Sequence, residues 1–387
     1  MRTARAIGFL VLALAGAALV WFGAGSIRAA RRARTVETAW AGSFGPLESI
    51  TAKFPAHPTN AAAHALEESA RSLGIELRPR GEQPVEDEPG RPKKSELDGV
   101  RAPLEKWVDQ QAAKAEGLPE APPAAVAAYF ASHAATLDAI EKSLLAGPAP
   151  DWALDLAKLH AAPVPNVLGQ MQLARVLVGR AEARAAAKDL RADESLRAAF
   201  ALTGALRGRP EVVSQNVSIA ATRLELGAVR RIPVDAAAWR EPLKTVDPRG
   251  GLLTALRHVA WVDYEAAKGL LRVKLRAGPL SGRLVALVGA WRERIEAVAV
   301  LDAWRATIDA AAKSPVADTE PRFLGETFQQ TLVRGGVKRN LAIPNLIESW
   351  RRANIAALEI RKTDEILAAR AAAPSGGAAK MKETRRP

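Results

Sequence analysis

The residues first to be tested for chemistry are the five histidines, His57, His64, His133, His160 and His258. No two of them lie within five residues of each other, so the HxH, HExxH and HxxxH pairs that set two imidazoles on one metal are absent. His64 and Glu68 stand four apart on one predicted helical face, a spacing that suits two metal ligands but equally an exposed polar pair, which is the reading preferred here. His258, among Leu256, Val259 and Trp261, reads as a partly buried, hydrogen-bonded histidine more than as a general base. Asp151 and Asp155 are expected to share a helical face, as paired carboxylates would. Beside Trp152, Leu154 and Leu156 they read as the solvated side of an amphipathic turn.

Phosphate and acyl-transfer motifs are absent: there is no GxxxxGK[ST] loop, no GxSxG elbow and no GxGxxG after a strand. Two glycine pairs, Arg249-Gly250-Gly251 and Arg334-Gly335-Gly336, have the smallness to let a phosphate approach the backbone, and are read as helix ends and turns. The chain has no cysteine, which excludes disulfides, thiolate metal sites and cysteine nucleophiles. The sequence therefore names no catalytic, cofactor-binding or metal-binding residue, and points away from an enzyme.

Charge adds a location more than a ligand. Of the net +13, residues 1–34 carry +6 and residues 370–387 carry +4, which leaves +3 for the stretch between them. A body so close to neutral, without interleaved basic and aromatic residues, makes nucleic acid an unexpected partner. The six arginines of the first block flank Ile7–Gly25, nineteen residues without a charge. As a helix at about 1.5 Å per residue this run reaches roughly 28 Å, close to the hydrocarbon thickness of a bilayer. Trp21 and Phe22 fall near one end, where amphipathic rings suit the interface. A cleaved signal peptide is the rival reading, but Arg28, Arg31, Arg32 and Arg34 directly after the run disfavour translocation past a cleavage site. The expectation is an uncleaved anchor in the bilayer, with those four arginines near anionic headgroups. The positive-inside balance is nearly even and tips slightly toward a cytoplasmic body. The general behaviour of single N-terminal anchors favours an extracytoplasmic, periplasmic body, and that placement is the one expected.

Ala and Leu abundance and the scarcity of alternating segments favour an all-α fold. The expected organisation is a short basic N-terminus (1–6), the anchor (7–25), a juxtamembrane segment with a short helix and a flexible linker (26–99), a helical domain (100–370) and a disordered basic tail (371–387). Within the third of these, 36–58 reads as a connector with one short helix near Trp40. Asn60 and Gly74 bracket a short helix, and Pro/Gly-rich 76–96 reads as the linker. Further on, helices are expected at about 101–115, from Pro122-Pro123 to Gly147-Pro148, from Pro165-Asn166 to Lys188, and at 194–206 and 211–231. Asp247-Pro248 to Gly278-Pro279 reads as the next. Then comes a helix of about thirty residues carrying the stripe Leu284, Val288, Trp291, Ile295, Val298, Leu301, Trp304 and Ile308. Helices at 321–334 and 345–370 complete the set, the last with Asn345 and Glu348 as a capping box. Short turns imply antiparallel pairs, as a bundle or an irregular solenoid, without the repeat of about 34 residues of tetratricopeptide arrays. The match between Pro165-Asn166-Val167-Leu168 and Pro344-Asn345-Leu346-Ile347 is too short to establish a duplication.

The leading reading is a membrane-anchored, non-enzymatic scaffold or protein-interaction domain of the bacterial envelope. A module that holds a lipid or small apolar ligand in a groove lined by tryptophans such as Trp107, Trp152, Trp239 and Trp304 is the alternative. An enzyme whose acids and bases converge only in the fold is a third. The mixed-charge run Glu359, Arg361, Lys362, Asp364 and Glu365 reads as a solvated helix face.

Overall fold

Apolar side chains recurring every three or four residues, with few β-favouring runs, leave the chain one way to bury them: as rods packed along their stripes. The computed structural model describes residues 2–79, 96–114, 117–276, 280–337 and 346–372, with side chains left undescribed at 2–15, 18, 19 and 269–290. The described residues form fourteen α-helices and no strand. A lone antiparallel bridge joins His57 to Leu154. The expected tail lies outside the described residues beyond Ala372, as do Asn345 of the capping box and most of the linker.

Helix α1 (Arg2–Phe44) is one uninterrupted rod of 43 residues, about 64 Å long at 1.5 Å per residue. The connector expected from residue 36 is therefore helical as far as Phe44, and only α2 (Ser49–Lys53) lies beyond it. The signal for this was the spacing of Ala29, Ala33, Val36 and Trp40, all buried and separated by four, three and four residues. Much of the expected anchor has side chains outside the described residues. Among those described, no helix is long and apolar enough to cross a membrane.

Helix α3 (Ala61–Ser72) starts at Asn60, whose Oδ1 accepts from Ala63 N at 2.8 Å, and ends before Gly74 at φ +80°. Then α4 (Glu96–Ala113) follows, with Pro103 inside it. The single helix expected after Pro122-Pro123 is two, α5 (Ala124–Ser132) and α6 (Ala134–Ala146), broken at His133. The apolar pattern passes over the break because Phe130 and Leu137 are seven apart, two full turns. Helices α7 (Val167–Ala186), α8 (Ala192–Arg207) and α9 (Val212–Arg231) run up, down and up, and α9 touches both others. Helix α10 (Ala236–Lys244) was not anticipated. It is short, contains Pro242 and buries only Trp239 and Leu243, so its one sequence signal is the Asp235 cap. The remaining helices, α11 (Pro248–Arg276), α12 (Leu280–Lys313), α13 (Arg322–Arg334) and α14 (Leu346–Ala372), fall close to their expected positions.

Packing divides the apolar side chains into two cores. The first gathers α3 to α10 and reaches Leu367 of α14; the second gathers α1, α11, α12, α13 and the start of α14. Helix α9 supplies Leu224 and Leu226 to the first and Ile219 to the second, and α14 likewise contributes to both. Seven tryptophans (Trp40, Trp107, Trp152, Trp239, Trp261, Trp304 and Trp350) are buried. Close approach is bought with glycine at two points. A Cβ on Gly227 of α9 would lie 2.9 Å from Ala112 Cα, and one on Gly169 of α7 would lie 1.9 Å from Glu76 O. The second contact shows that 75–79 is no free linker: Ile75 and Leu77 are fully buried, and Asn166 Nδ2 donates to Glu76 O at 2.7 Å.

The cores also enclose charge. Arg231 of α9 and Glu182 of α7 are wholly inaccessible and hydrogen-bonded to each other, and Arg231 Nη1 also donates to Gln111 Oε1 at 2.8 Å. Burial pushes the Glu182 carboxyl up to about 8, against the pull of Arg231. Removing one member of such a pair strands the other in a medium that cannot solvate it. Arg231→Met is expected to cost about 3–5 kcal/mol in urea denaturation, and the joint change Arg231→Met with Glu182→Leu to recover most of it. A double variant as unstable as the single one would refute this account.

Candidate functional site

Of the residues singled out for chemistry the fold brings together one pair, His57 with Asp151, and disperses the rest. His64 Nδ1 meets Glu67, not Glu68, at 3.1 Å; His57 lies 3.6 Å from Asp151; His133 Nε2 is 2.8 Å from Glu96; His160 stands 4.0 Å from Asp263. Asp151 and Asp155 are not on a helix: the chain is extended there, and Asp155 pairs with Lys158. Among the described residues no three His, Asp or Glu side chains gather as metal ligands would. The charged run of α14 is partly used inside the molecule, because Glu359 pairs with Arg223 of α9 and Asp364 with Arg240 of α10.

A convergence of acids and bases does exist between α6, α7 and α8. Arg184 donates to Glu141 Oε2 and Asp138 Oδ1, each at 2.8 Å. Arg180 reaches Asp138 at 2.5 Å and Glu141 at 3.2 Å, and Ser195 Oγ donates to Glu141 Oε1 at 2.7 Å. Burial alone would raise Asp138; the Arg180 and Arg184 guanidiniums more than offset it and hold the carboxyl below its ordinary value. Two acids and two arginines neutralise one another here. Glu141, Arg180 and Arg184 are buried and Asp138 is about half exposed, so the cluster joins α6, α7 and α8 from within.

An open cleft lies elsewhere, along the seam of the two cores. The cleft, of about 690 Å³, is walled by the end of α2 (Lys53, Phe54), the end of α8 (Gly204, Arg207, Gly208), one face of α9 (Gln215, Ser218, Ile219, Thr222) and the approach to α11 (Thr245 to Thr254). Its size is within the range of small-molecule sites, and junctions between packed units are where such sites gather. Its walls mix polar groups with Phe54, Ile219, Val246 and Pro248, and no tryptophan is among them, so the tryptophan-lined groove expected for an apolar ligand has no counterpart in this cleft.

Each polar group is held in place by the fold. Gln215 Nε2 donates to the last carbonyls of α8, at Leu206 (3.4 Å) and Arg207 (3.0 Å), groups a helix end leaves without partners, and to Arg209 O (2.6 Å) just beyond it. Gly251 permits this, since a Cβ there would lie 2.3 Å from Gln215 Oε1. Asp247 Oδ1 caps α11 by accepting from Gly250 N at 2.9 Å, with Pro248 in the first turn. The Gly250-Gly251 pair thus opens a helix, as its sequence reading has it, and also lines the cleft. Arg207 lies over the Phe200 ring at 4.1 Å and donates to Phe200 O at 2.9 Å and Thr222 Oγ1 at 3.3 Å. Behind it, Glu225 is 1% exposed, takes the Thr203 hydroxyl at 2.5 Å and stands 3.8 Å from Arg207, and burial raises its carboxyl. Sequence reasoning missed the cleft because its walls come from four separated segments. Only the double glycine marked it.

His258 on α11 is buried as expected, with the Pro210 backbone carbonyl as its neighbouring acceptor. It stacks on Trp261 at 6.1 Å. Comparison of the chain with family models, with curated proteins and with solved structures finds no match in any of the three.

Burial holds the His258 pKa below 6.5, with the Glu211 charge pulling the other way. The folded state therefore disfavours the proton that the unfolded chain takes up. The contribution is intact above pH 6.5 and is lost as pH falls from there to the lower folded value. His258→Phe should lessen the fall in denaturation free energy between pH 7 and pH 5 relative to the parent protein; parallel curves would contradict it.

Proposed function

We propose that this chain is a membrane-tethered, non-enzymatic helical binding module, anchored through residues 7–25 and holding its body against the extracytoplasmic face. The observation that carries the reading is the continuity of α1. The uncharged stretch lies on the same unbroken helix as Ala29, Ala33, Val36 and Trp40, which are docked on the helical body. A rod without a hinge holds its load at a fixed height and rotation, which suits a module that meets envelope partners near the bilayer and does not suit a passive leash. Three of the four arginines after the stretch, Arg28, Arg31 and Arg34, are exposed, where anionic headgroups are within reach. Arg32 is committed to the protein, donating to Gly335 O at 2.8 Å beyond the end of α13.

Membrane fractionation tests this directly. The full chain is expected to stay in the pellet through alkaline carbonate washing and to leave it only with detergent, at its full length. Removal of residues 2–25 is expected to release a folded body. Reporter fusions after residue 40 are expected to place that body outside the cytoplasm. Full-length protein in the aqueous fraction would refute the tether, and a cytoplasmic reporter the placement.

A further inference from the structure

We infer that the seam cleft is a binding site for a small polyhydroxylated phosphate ester, held by Lys53, Arg207 and the Gln215 carbonyl oxygen. The inference extends the binding-module reading by naming the ligand class, and it does not require the tether.

The charge of the cleft points to an anion. Three charged side chains line it: Lys53, Arg207 and Asp247. Asp247 is already used. It caps α11, lies at the positive end of that helix and has Arg249 as a neighbouring charge. The start of α11 is thus closed to a ligand by its own cap. Lys53 is exposed and has no carboxylate within ion-pair distance among the described residues. The one counter-charge of Arg207 among the described residues is Glu225, at 3.8 Å, too distant for a hydrogen bond, and the bonds of Arg207 to Phe200 O and Thr222 Oγ1 take two of its five N–H groups. Two cations arriving from separate elements, one a point charge and one a planar fork, suit a tetrahedral oxyanion with several acceptor oxygens.

A second and independent observation calls for hydroxyl groups. Gln215 is 2% exposed, and its Oε1 lies against Gly251 on the cleft wall, where it takes no hydrogen bond among the described residues. An amide oxygen placed there is an acceptor that a ligand hydroxyl can use. The hydroxyls of Ser218, Thr245 and Thr254 donate to the backbone carbonyls of Gln215, Pro242 and Gly250, which leaves their lone pairs as further acceptors. The cleft therefore combines fixed acceptors with two cationic donors, the complement of a phosphorylated polyol. Such a group occurs on soluble sugar phosphates and on glycerophospholipid headgroups, and the experiment separates the two.

Detergent-solubilised full chain is titrated calorimetrically with glucose 6-phosphate, glycerol 3-phosphate and unphosphorylated glucose. In parallel, its flotation is measured with phosphatidylglycerol and phosphatidylcholine vesicles, using the chain lacking residues 2–25 after its fold has been checked. The expected result is binding of a phosphorylated polyol that falls at least tenfold in Lys53→Glu and weakens with added salt, with glucose alone not binding. Because Arg207 shields a buried carboxyl, it is tested as Arg207→Gln with Glu225→Gln, which leaves the interior neutral, and a similar loss is expected at an unchanged melting temperature. Flotation with phosphatidylglycerol alone, abolished by the same variants, would identify the headgroup as the source. Absence of binding in both arms, or binding indifferent to Lys53→Glu and to the double change, would overturn the assignment. Failure here leaves the fractionation behaviour of the full chain untouched, so the two readings stand or fall separately.

Discussion

A helix enclosed on nearly every side has no solvent toward which to turn a polar side chain, and α9 is such a helix. Gln215, Ser218, Thr222, Glu225, Arg230 and Arg231 all lie on it and all are buried. Each must find a partner in a neighbouring element, and the partners explain much of the architecture. Arg231 meets Glu182 of α7 and Gln111 of α4, Arg230 meets Thr363 of α14, Glu225 meets Thr203 of α8, and Gln215 closes the end of α8. The last carbonyls of α9, at Val229 and Arg230, are taken by Arg370 from the far end of α14. Polar pairing thus sets which helix faces which, while the apolar contacts around it supply the bulk of the burial.

The cleft follows from the same constraint. Where α9 passes from one core to the other, its polar face cannot be covered by apolar side chains from either. The first turns of α11 and the last of α8 leave a gap there, and small residues (Gly204, Gly208, Gly250 and Gly251) keep it open. A site formed in this way is lined by groups whose first duty is to the fold. Its specificity is then set by what those groups have left over: a guanidinium with a distant counter-charge, an amide oxygen without a donor, and hydroxyl lone pairs.

Much of the helical framework was legible from the chain because helix ends are local chemistry. Asn60 and Gly74, Asn166, and Asp247-Pro248 mark boundaries found where their types and order place them. The stripe from Val298 to Ile308 is buried throughout. What escaped was anything decided by distant partners. The continuation of α1 past residue 36 depends on α11, whose Tyr264 donates to Glu37 and whose Arg257 lies over Phe44; the anchoring of Leu77 depends on Gly169 of α7, far along the chain; and α10 has Trp239 packed on Phe200. The cleft escaped for the same reason. Of the histidines and paired aspartates that the sequence offered for chemistry, His57 meets Asp151 and the others go to different partners, and the double glycine read as a helix end was the one local sign of the gap.

The first core carries a consequence for the order of assembly. Its members run from Ala63 to Leu243 and then, after a long interval given over to the second core, include Leu367, which is fully buried. A nascent chain that has emerged as far as Leu243 holds nearly all of that core but lacks the wall that α14 provides. With chains elongating at about 5–20 residues per second, the apolar face stays uncovered for on the order of ten seconds. Throughout that interval the side chains that pack on Leu367 lack their cover.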